Sequence, residues 1–242
     1  MRKIKFVKGG VYHIYNRGVE KRDIFRDDRD ENDKWRFLQG LLLFNDVKAS
    51  INLLWQIERA KGRTTFKTIR DFLKERPQVK TPLVRIMADC LMPNHFHLLL
   101  EEITDGGISR FMQKFCTGYA NYFNKKYGRV GPLFQGRFKA ASVDSNEYLQ
   151  QLLVYINVVN PAQLIEPNLK EKGIKNLEKV MAFVEKYPWS TNQEYLGKRE
   201  SIIIDKGLLA DFFTKPGSYR RLARESLKGR KFAKIKHLTL EK

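Results

Sequence analysis

The stretch Leu83–Glu102, LVRIMADCLMPNHFHLLLEE, decides how the rest of the chain is read. It holds two apolar runs of strand length, Leu83–Leu91 and His95–Glu102, parted by the break Met92-Pro93-Asn94. Proline and asparagine interrupt strands rather than continue them, so the two runs are expected to fold back as an antiparallel pair. Side chains alternate across a strand, so His95 and His97 share one face while Phe96 enters the opposite layer. Two imidazoles side by side can hold a divalent cation and leave positions open for a third ligand and a substrate oxygen. Alone, His-x-His is a weak signal, but the chain has only four histidines and two stand here. Of the others, His13 reads as a satisfied sheet-face histidine and His237 as part of a basic tail with no specific role.

Moving outward, Val11-Tyr12-His13-Ile14-Tyr15-Asn16-Arg17-Gly18 reads as a strand ending in a turn. Residues Glu31 to Phe44 carry Trp35, Leu38, Leu41 and Leu42 at helical spacing. A basic segment of different character, about residues 46–82, is taken as an insertion between core elements. After the hairpin, Ile108 to Tyr127 forms a long helix with Phe111, Phe115, Tyr119, Tyr122 and Phe123 on one broad side. A loop over Gly128 to Gly136 leads to an expected strand, Arg137 to Asp144. Asp144 or Ser145 then caps a helix running to about Asn160, where Pro161 stops it. This order is an α+β pattern, a ferredoxin-like antiparallel sheet covered by helices. Residues 1–162 are assigned to that core and residues 163–242 to a basic C-terminal appendage that contacts nucleic acid. Its last stretch carries Arg220, Arg221, Arg224, Lys228, Arg230, Lys231, Lys234 and Lys236.

The 242 residues include 46 Lys plus Arg against 27 Asp plus Glu, a net charge of +19. Such an excess favours a polyanionic partner, because each phosphate neutralised by Lys or Arg releases condensed counterions. It argues against a metalloprotein acting on small molecules. Ten tyrosines and 16 phenylalanines offer some stacking surface for unpaired bases beyond what the core consumes. Apolar runs such as residues 41–44 and 98–100 are too short to span a bilayer, and the basic N-terminus lacks the apolar centre of a signal peptide. A soluble cytoplasmic protein is expected, with Cys90 and Cys116 as buried thiols rather than a disulfide framework.

Four motifs in order carry a resemblance: Tyr12–Gly18, Met92–Leu99, Gly131–Lys139 (GPLFQGRFK), and Tyr155-Ile156 with Asn160-Pro161. Together they resemble the transposase family that contains the single-strand insertion-sequence (IS200-like) transposases, and within it the branch called REP-associated tyrosine transposases. The likeness spans roughly residues 8–162, interrupted by the insertion. It implies a histidine-hydrophobe-histidine (HUH) nuclease fold in which two histidines and a polar side chain of the last core helix hold Mg²⁺ or Mn²⁺. It further implies that a helix tyrosine attacks phosphorus, leaving a 5′-phosphotyrosine and a free 3′-hydroxyl. By this resemblance His95 and His97 are ligands and Tyr155 is the nucleophile. Tyr119, on the preceding helix, is the competitor, and core packing accounts for it.

The third ligand is less direct. The family generally places Gln or Asn four residues after its tyrosine, where this chain has Val159; Asn160 comes five residues on. Five residues turn an ideal helix by about 140°, off the tyrosine's face. A π-bulge would bring Asn160 back, and Gln151, one turn before Tyr155, is the alternative. Asn160 is preferred. Asn16, Arg17, Arg137 and Lys139 are the expected DNA contacts, to phosphates above all. The expected partner is single-stranded DNA containing a hairpin, with a homodimer compatible with the family pattern. A rival reading is a non-catalytic nucleic-acid binder that keeps the fold and the basic surface. A replication initiator or relaxase would share the chemistry, but such proteins usually carry a helicase, and this chain has no Walker-type Gly-rich loop. Tyr187-Pro188-Trp189-Ser190 resembles a short segment that follows the core in the same branch, with Trp189 as its expected anchor.

Overall fold

The computed structural model describes residues 4–26, 32–49, 52–62, 64–75, 81–215 and 217–229. The core elements are β1 (Val11–Arg17), α1 (Asn32–Phe44), α2 (Leu53–Lys61), α3 (Phe66–Glu75), β2 (Val84–Met92), β3 (His95–Glu102), α4 (Gly107–Lys126), β4 (Lys139–Val143) and α5 (Asn146–Val154). A π-helical turn, Tyr155–Val159, joins α5 to the short α6 (Asn160–Ala162). The strands form one antiparallel sheet in the order β2-β3-β1-β4. Each of the two central strands is thus flanked by the hairpin partner or crossover product of the other, the split βαβ arrangement of a ferredoxin-like α+β fold. The expected insertion contributes α2 and α3, outside the sheet.

Alternation along β3 separates the two layers. Phe96 meets Phe37 of α1 at 5.0 Å between ring centroids, and Phe37 meets Phe115 of α4 edge-on at 4.5 Å. On α4, Phe111, Phe115, Tyr119 and Phe123 recur every four residues and are all buried. Asp33, fully buried in the first turn of α1, ties the two helices together by accepting from Tyr122 Oη (2.9 Å), Lys126 Nζ (2.7 Å) and Tyr127 Oη (2.7 Å). Trp35, expected on the buried stripe, is instead 42% exposed. Phe37, Leu41 and Phe44 take the inward positions because they, and not Trp35, lie on the α4-facing turn of the helix.

The hairpin tip is pinned from outside. Pro93 O accepts from Ile24 N and Phe25 N, Asn94 O from Gly18 N, and Lys21 O accepts from Asn94 Nδ2 at 3.1 Å. Gly18 permits this approach, since a Cβ there would stand 2.2 Å from Arg22 O. Glu20 and Lys21, at φ 57° and 58°, are held in left-handed conformations that cost roughly 1 kcal/mol or more each. The hydrogen bond from Asn94 helps to hold that strained turn against the start of β3.

Two boundaries differ from expectation. The strand expected from Arg137 begins at Lys139, because Gln135 N bonds back to Arg17 O and Asn16 Nδ2 takes Gly136 O at 3.0 Å, turning residues 136–138 out of the ladder. The last core helix does not stop before Pro161 but runs to Ala162. Proline breaks helices partly by removing a donor. Here the Asn157 carbonyl that would face that donor accepts from Ser190 Oγ at 3.4 Å.

The C-terminal segment expected as an appendage packs onto this core. It forms α7 (Leu169–Lys172), α8 (Leu177–Val184), α9 (Asn192–Tyr195), α10 (Leu209–Phe212) and α11 (Ser218–Gly229). Leu169, Val180, Met181, Val184, Tyr219, Ala223 and Leu227 are buried. Leu91 N donates to Trp189 O at 2.8 Å and Thr191 N to Asp89 O at 3.1 Å, so residues 189–191 cover the open edge of β2. Trp189 is buried against Trp35, as an anchor should be. Arg230, Lys231, Lys234, Lys236 and His237 lie outside the described residues. None of the described helices is long and apolar enough to cross a membrane.

The π-turn accommodates one extra residue without disturbing the helix on either side. Deleting Val159 should therefore leave a regular helix with Asn160 one α-turn after Tyr155, and an unfolding free energy from urea titration within about 1–2 kcal/mol of the parent. Deleting Leu152 in α5, where no bulge can absorb the change, should cost more than that or abolish folding. Equal losses in the two deletions would contradict this account.

Candidate active site

The register of β1 on β3 brings the site together. Tyr15 pairs with His97 and Arg17 with His95, while His13 lies diagonally across from His97 on the same face. His13 Nε2 and His97 Nδ1 are 2.9 Å apart, and His95 and His97 lie edge to face with centroids 5.1 Å apart. Over this face sits the π-turn. The Tyr155 ring stands edge-on to His97 at 5.8 Å and to His13 at 6.2 Å. The expected bulge is present: Asn160 N donates to Tyr155 O, five residues back, so Asn160 occupies the helix face that a residue four after Tyr155 would otherwise hold. All of these residues belong to one chain.

Hydrogen bonding orients the imidazoles. Asn94 Nδ2 is committed to Lys21 O, so Asn94 Oδ1 can only accept, and at 2.6 Å it fixes the His95 proton on Nδ1. Nε2 of His95 is then a lone pair. His97 Nδ1 faces His13 Nε2, and with its proton on Nδ1 the Nε2 of His97 is likewise a lone pair. His97 Nε2 and Asn160 Nδ2 are both buried without a hydrogen-bond partner. Buried polar atoms left unpaired are costly, and a cation is one way of satisfying them. A half-turn of the Asn160 amide places its oxygen where Nδ2 stands. The donor set of two imidazole nitrogens and an amide oxygen suits Mg²⁺ or Mn²⁺ with further positions left for water or phosphate. Among the described residues no group of three His, Cys, Asp or Glu side chains is placed to hold a metal. Gln151, the alternative ligand, has its Oε1 engaged by Ser226 Oγ at 3.0 Å.

Burial makes these histidines weak bases. It pushes His13 down to about 3. For His95, burial first and then the charges of Lys170 and Arg17 lead to about 3. His97 is held well below the usual range by burial, then by its neighbours His13, His95 and Lys170. All three are neutral near pH 7, so a cation could approach His95 and His97 without displacing a proton.

The other expected residues divide. Arg17 lies on the histidine face beside His95, hydrogen bonded to Gln135 Oε1. Lys139, exposed, pairs with Tyr15 at the start of the edge strand β4 and so opens toward the same face. Arg137 is exposed in the loop before β4. Asn16 points into the opposite layer and is 5% exposed; its amide donates to Gly136 O and accepts from Arg17 N at 2.9 Å. It shapes the loop that presents Arg137 rather than offering a free group to DNA. Tyr119 is buried on the far side of the sheet, its hydroxyl held by Ile24 O at 2.5 Å. Three neighbours went unassigned in the sequence: Asn94, His13 as partner of His97, and Lys170 of α7, whose Nζ donates to Tyr155 Oη at 3.2 Å. The first was legible beside the motif; Lys170, 15 residues beyond the tyrosine, was not.

The family model described as "Transposase IS200 like" matches residues 51–158, a span that includes His95, His97 and Tyr155. The resemblance to IS200-like transposases is confirmed. Among solved structures, one described as a REP-associated tyrosine transposase bound to a REP hairpin is similar at 15% identity and a TM-score of 0.42, over 85% of this chain and 93% of that one. No curated protein sequence matches the chain.

Histidines with folded-state pKa values below the unfolded 6.5 bind fewer protons in the folded state. Their contribution to stability is whole above about pH 6.5 and is lost as the pH falls toward 3. In metal-free protein, the imidazole carbon and proton shifts of His13, His95 and His97 should stay flat between about pH 8 and 5, where an ordinary histidine titrates. A midpoint near 6.5 for any of the three would contradict the burial described. Replacing His13 by Phe should weaken Mn²⁺ binding by about 10–100-fold in a calorimetric titration, the usual loss when a ligand's orienting partner is removed. Unchanged affinity would mean that His13 does not set the His97 tautomer.

Proposed function

We propose that this protein is a metal-dependent tyrosine transposase that cleaves and rejoins single-stranded DNA near hairpin elements. One observation carries the reading: a buried tyrosine and an asparagine whose amide nitrogen has no partner are brought by a π-turn over a pair of neutral histidines, one of which has a buried, unpartnered Nε2. His95, His97 and Asn160 would hold Mg²⁺ or Mn²⁺. Bound there, the cation supplies Lewis-acid polarisation of the scissile phosphate.

The chain's own residues account for the rest. Arg17 and Lys139 border the histidine face, and Arg137 stands on the adjoining loop, all suited to DNA phosphates. Tyr155 Oη attacks phosphorus in line with the leaving O3′. The P–O3′ bond breaks as the Oη–P bond forms; the phenol proton passes to solvent, and O3′ takes one up. The 5′-phosphotyrosine conserves the phosphoester, so a 3′-hydroxyl can reverse the step and join strands. Tyr155, both histidines and Asn160 meet within this chain, and the site is proposed to act in cis. The basic surface, together with the net charge of +19, supports binding to a hairpin-containing single strand.

Labelled single-stranded hairpin DNA from the flanks of the gene, incubated with protein and Mn²⁺, should yield a covalent adduct on denaturing gels. Tyr155→Phe should remove it, by about 10⁴-fold or more in rate, and His95→Ala should remove most of it. An adduct persisting in Tyr155→Phe would move the nucleophile elsewhere. Tight hairpin binding without cleavage of any flanking hairpin would favour the non-catalytic binder.

A further inference from the structure

We infer that Lys170 is a catalytic residue of the same site: its ammonium group stabilises the Tyr155 phenolate as it attacks and, in the joining step, as it leaves. The inference rests on the nuclease reading above. Lys170 lies on α7, in the segment that the core motifs do not reach, yet its side chain is 6% exposed and its Nζ is 3.2 Å from Tyr155 Oη. The same Nζ stands 5.0 Å from the centre of the Tyr155 ring. A lysine is seldom buried to this extent without a task for its charge.

The chemistry requires such a group. A phenol is a weak nucleophile until its oxygen carries negative charge, and a fixed cation at hydrogen-bond distance favours that charge most in a water-poor site. Lys170 donates its hydrogen bond in this step without transferring a proton; the proton leaves the phenol for solvent. As Oη–P forms and P–O3′ breaks, negative charge moves from the phenolate onto the phosphoryl oxygens and then to O3′. In the reverse reaction the phenolate is the leaving group, and the same hydrogen bond stabilises its departure. One residue therefore serves both cleavage and joining. The ordering is structural: Leu169, buried beside it, anchors α7 to the core, and the turn through residues 163–168 returns the chain to the tyrosine from the end of α6.

The test compares full-length wild type, Lys170→Met, Lys170→Arg and Lys170→Ala in the hairpin assay with Mn²⁺. Thermal melting and hairpin binding by fluorescence anisotropy are measured alongside. Lys170→Met should slow adduct formation by about 10²–10³-fold while hairpin affinity changes by about twofold or less. Lys170→Arg should recover about tenfold or more of that loss, and added ethylamine should partly restore Lys170→Ala, a recovery that a purely structural residue does not show. Should Lys170→Met melt early, the arginine variant and the amine rescue decide the matter. An active wild type with Lys170→Met within about threefold of its rate, or a loss that neither arginine nor amine repairs, overturns this inference alone. A wild type that cleaves no hairpin overturns it together with the nuclease reading.

Discussion

The antiparallel pairing of β1 with β3 is the constraint on which the rest depends. Its register sets Tyr15 opposite His97 and Arg17 opposite His95, and brings His13 within hydrogen-bond reach of His97. Because neighbouring side chains on β3 face opposite layers, the same three residues serve two purposes. Phe96 anchors the sheet in the aromatic cluster of α1 and α4, while its flanking histidines face the other layer. A slip of one residue would exchange these faces, burying imidazole among phenylalanines and losing both core and site. The contacts that hold the hairpin tip, through Pro93, Asn94 and Gly18, guard against that slip and orient His95 at the same time.

The second device is the π-turn. A regular helix from Asn146 onward would bury Asn160 or Tyr155 over the histidines, but not both, since five residues do not complete whole α-turns. The wider turn reconciles them at the cost of less favourable backbone hydrogen bonding, and the surrounding packing bears that cost: all five residues Tyr155–Val159 are buried. Helix irregularity at this point is what allows a tyrosine and an amide to face one site.

The C-terminal segment changes the picture of what the core is. It closes the exposed edge of β2, packs α8 against the π-turn and α6, and carries Lys170 into contact with Tyr155. A chain ending near residue 162 would leave β2 unpaired on one side and the tyrosine hydroxyl without this lysine. The division into core and appendage follows sequence character, whereas hydrophobic burial unites them.

The sequence by itself determined the elements whose signals are local. The alternation of Leu83–Glu102, the Pro-Asn break, the four-residue aromatic spacing of α4 and the order of the strands suffice for the ferredoxin-like sheet and for the sharing of one face by His95 and His97. Tyr155 and Asn160 were marked by motif order, and their five-residue spacing raised a π-bulge as one of two alternatives, the one found. Other features depended on where distant segments meet. Whether Asn16 faces DNA or the loop at Gly136, whether Gln151 is available or held by Ser226, and whether His13 serves His97 are questions of contact across the sheet. The tertiary structure alone brought Lys170 to the tyrosine and folded residues 163–229 onto the core. Periodicity records which side of an element is apolar, but not which distant polar group that side will meet.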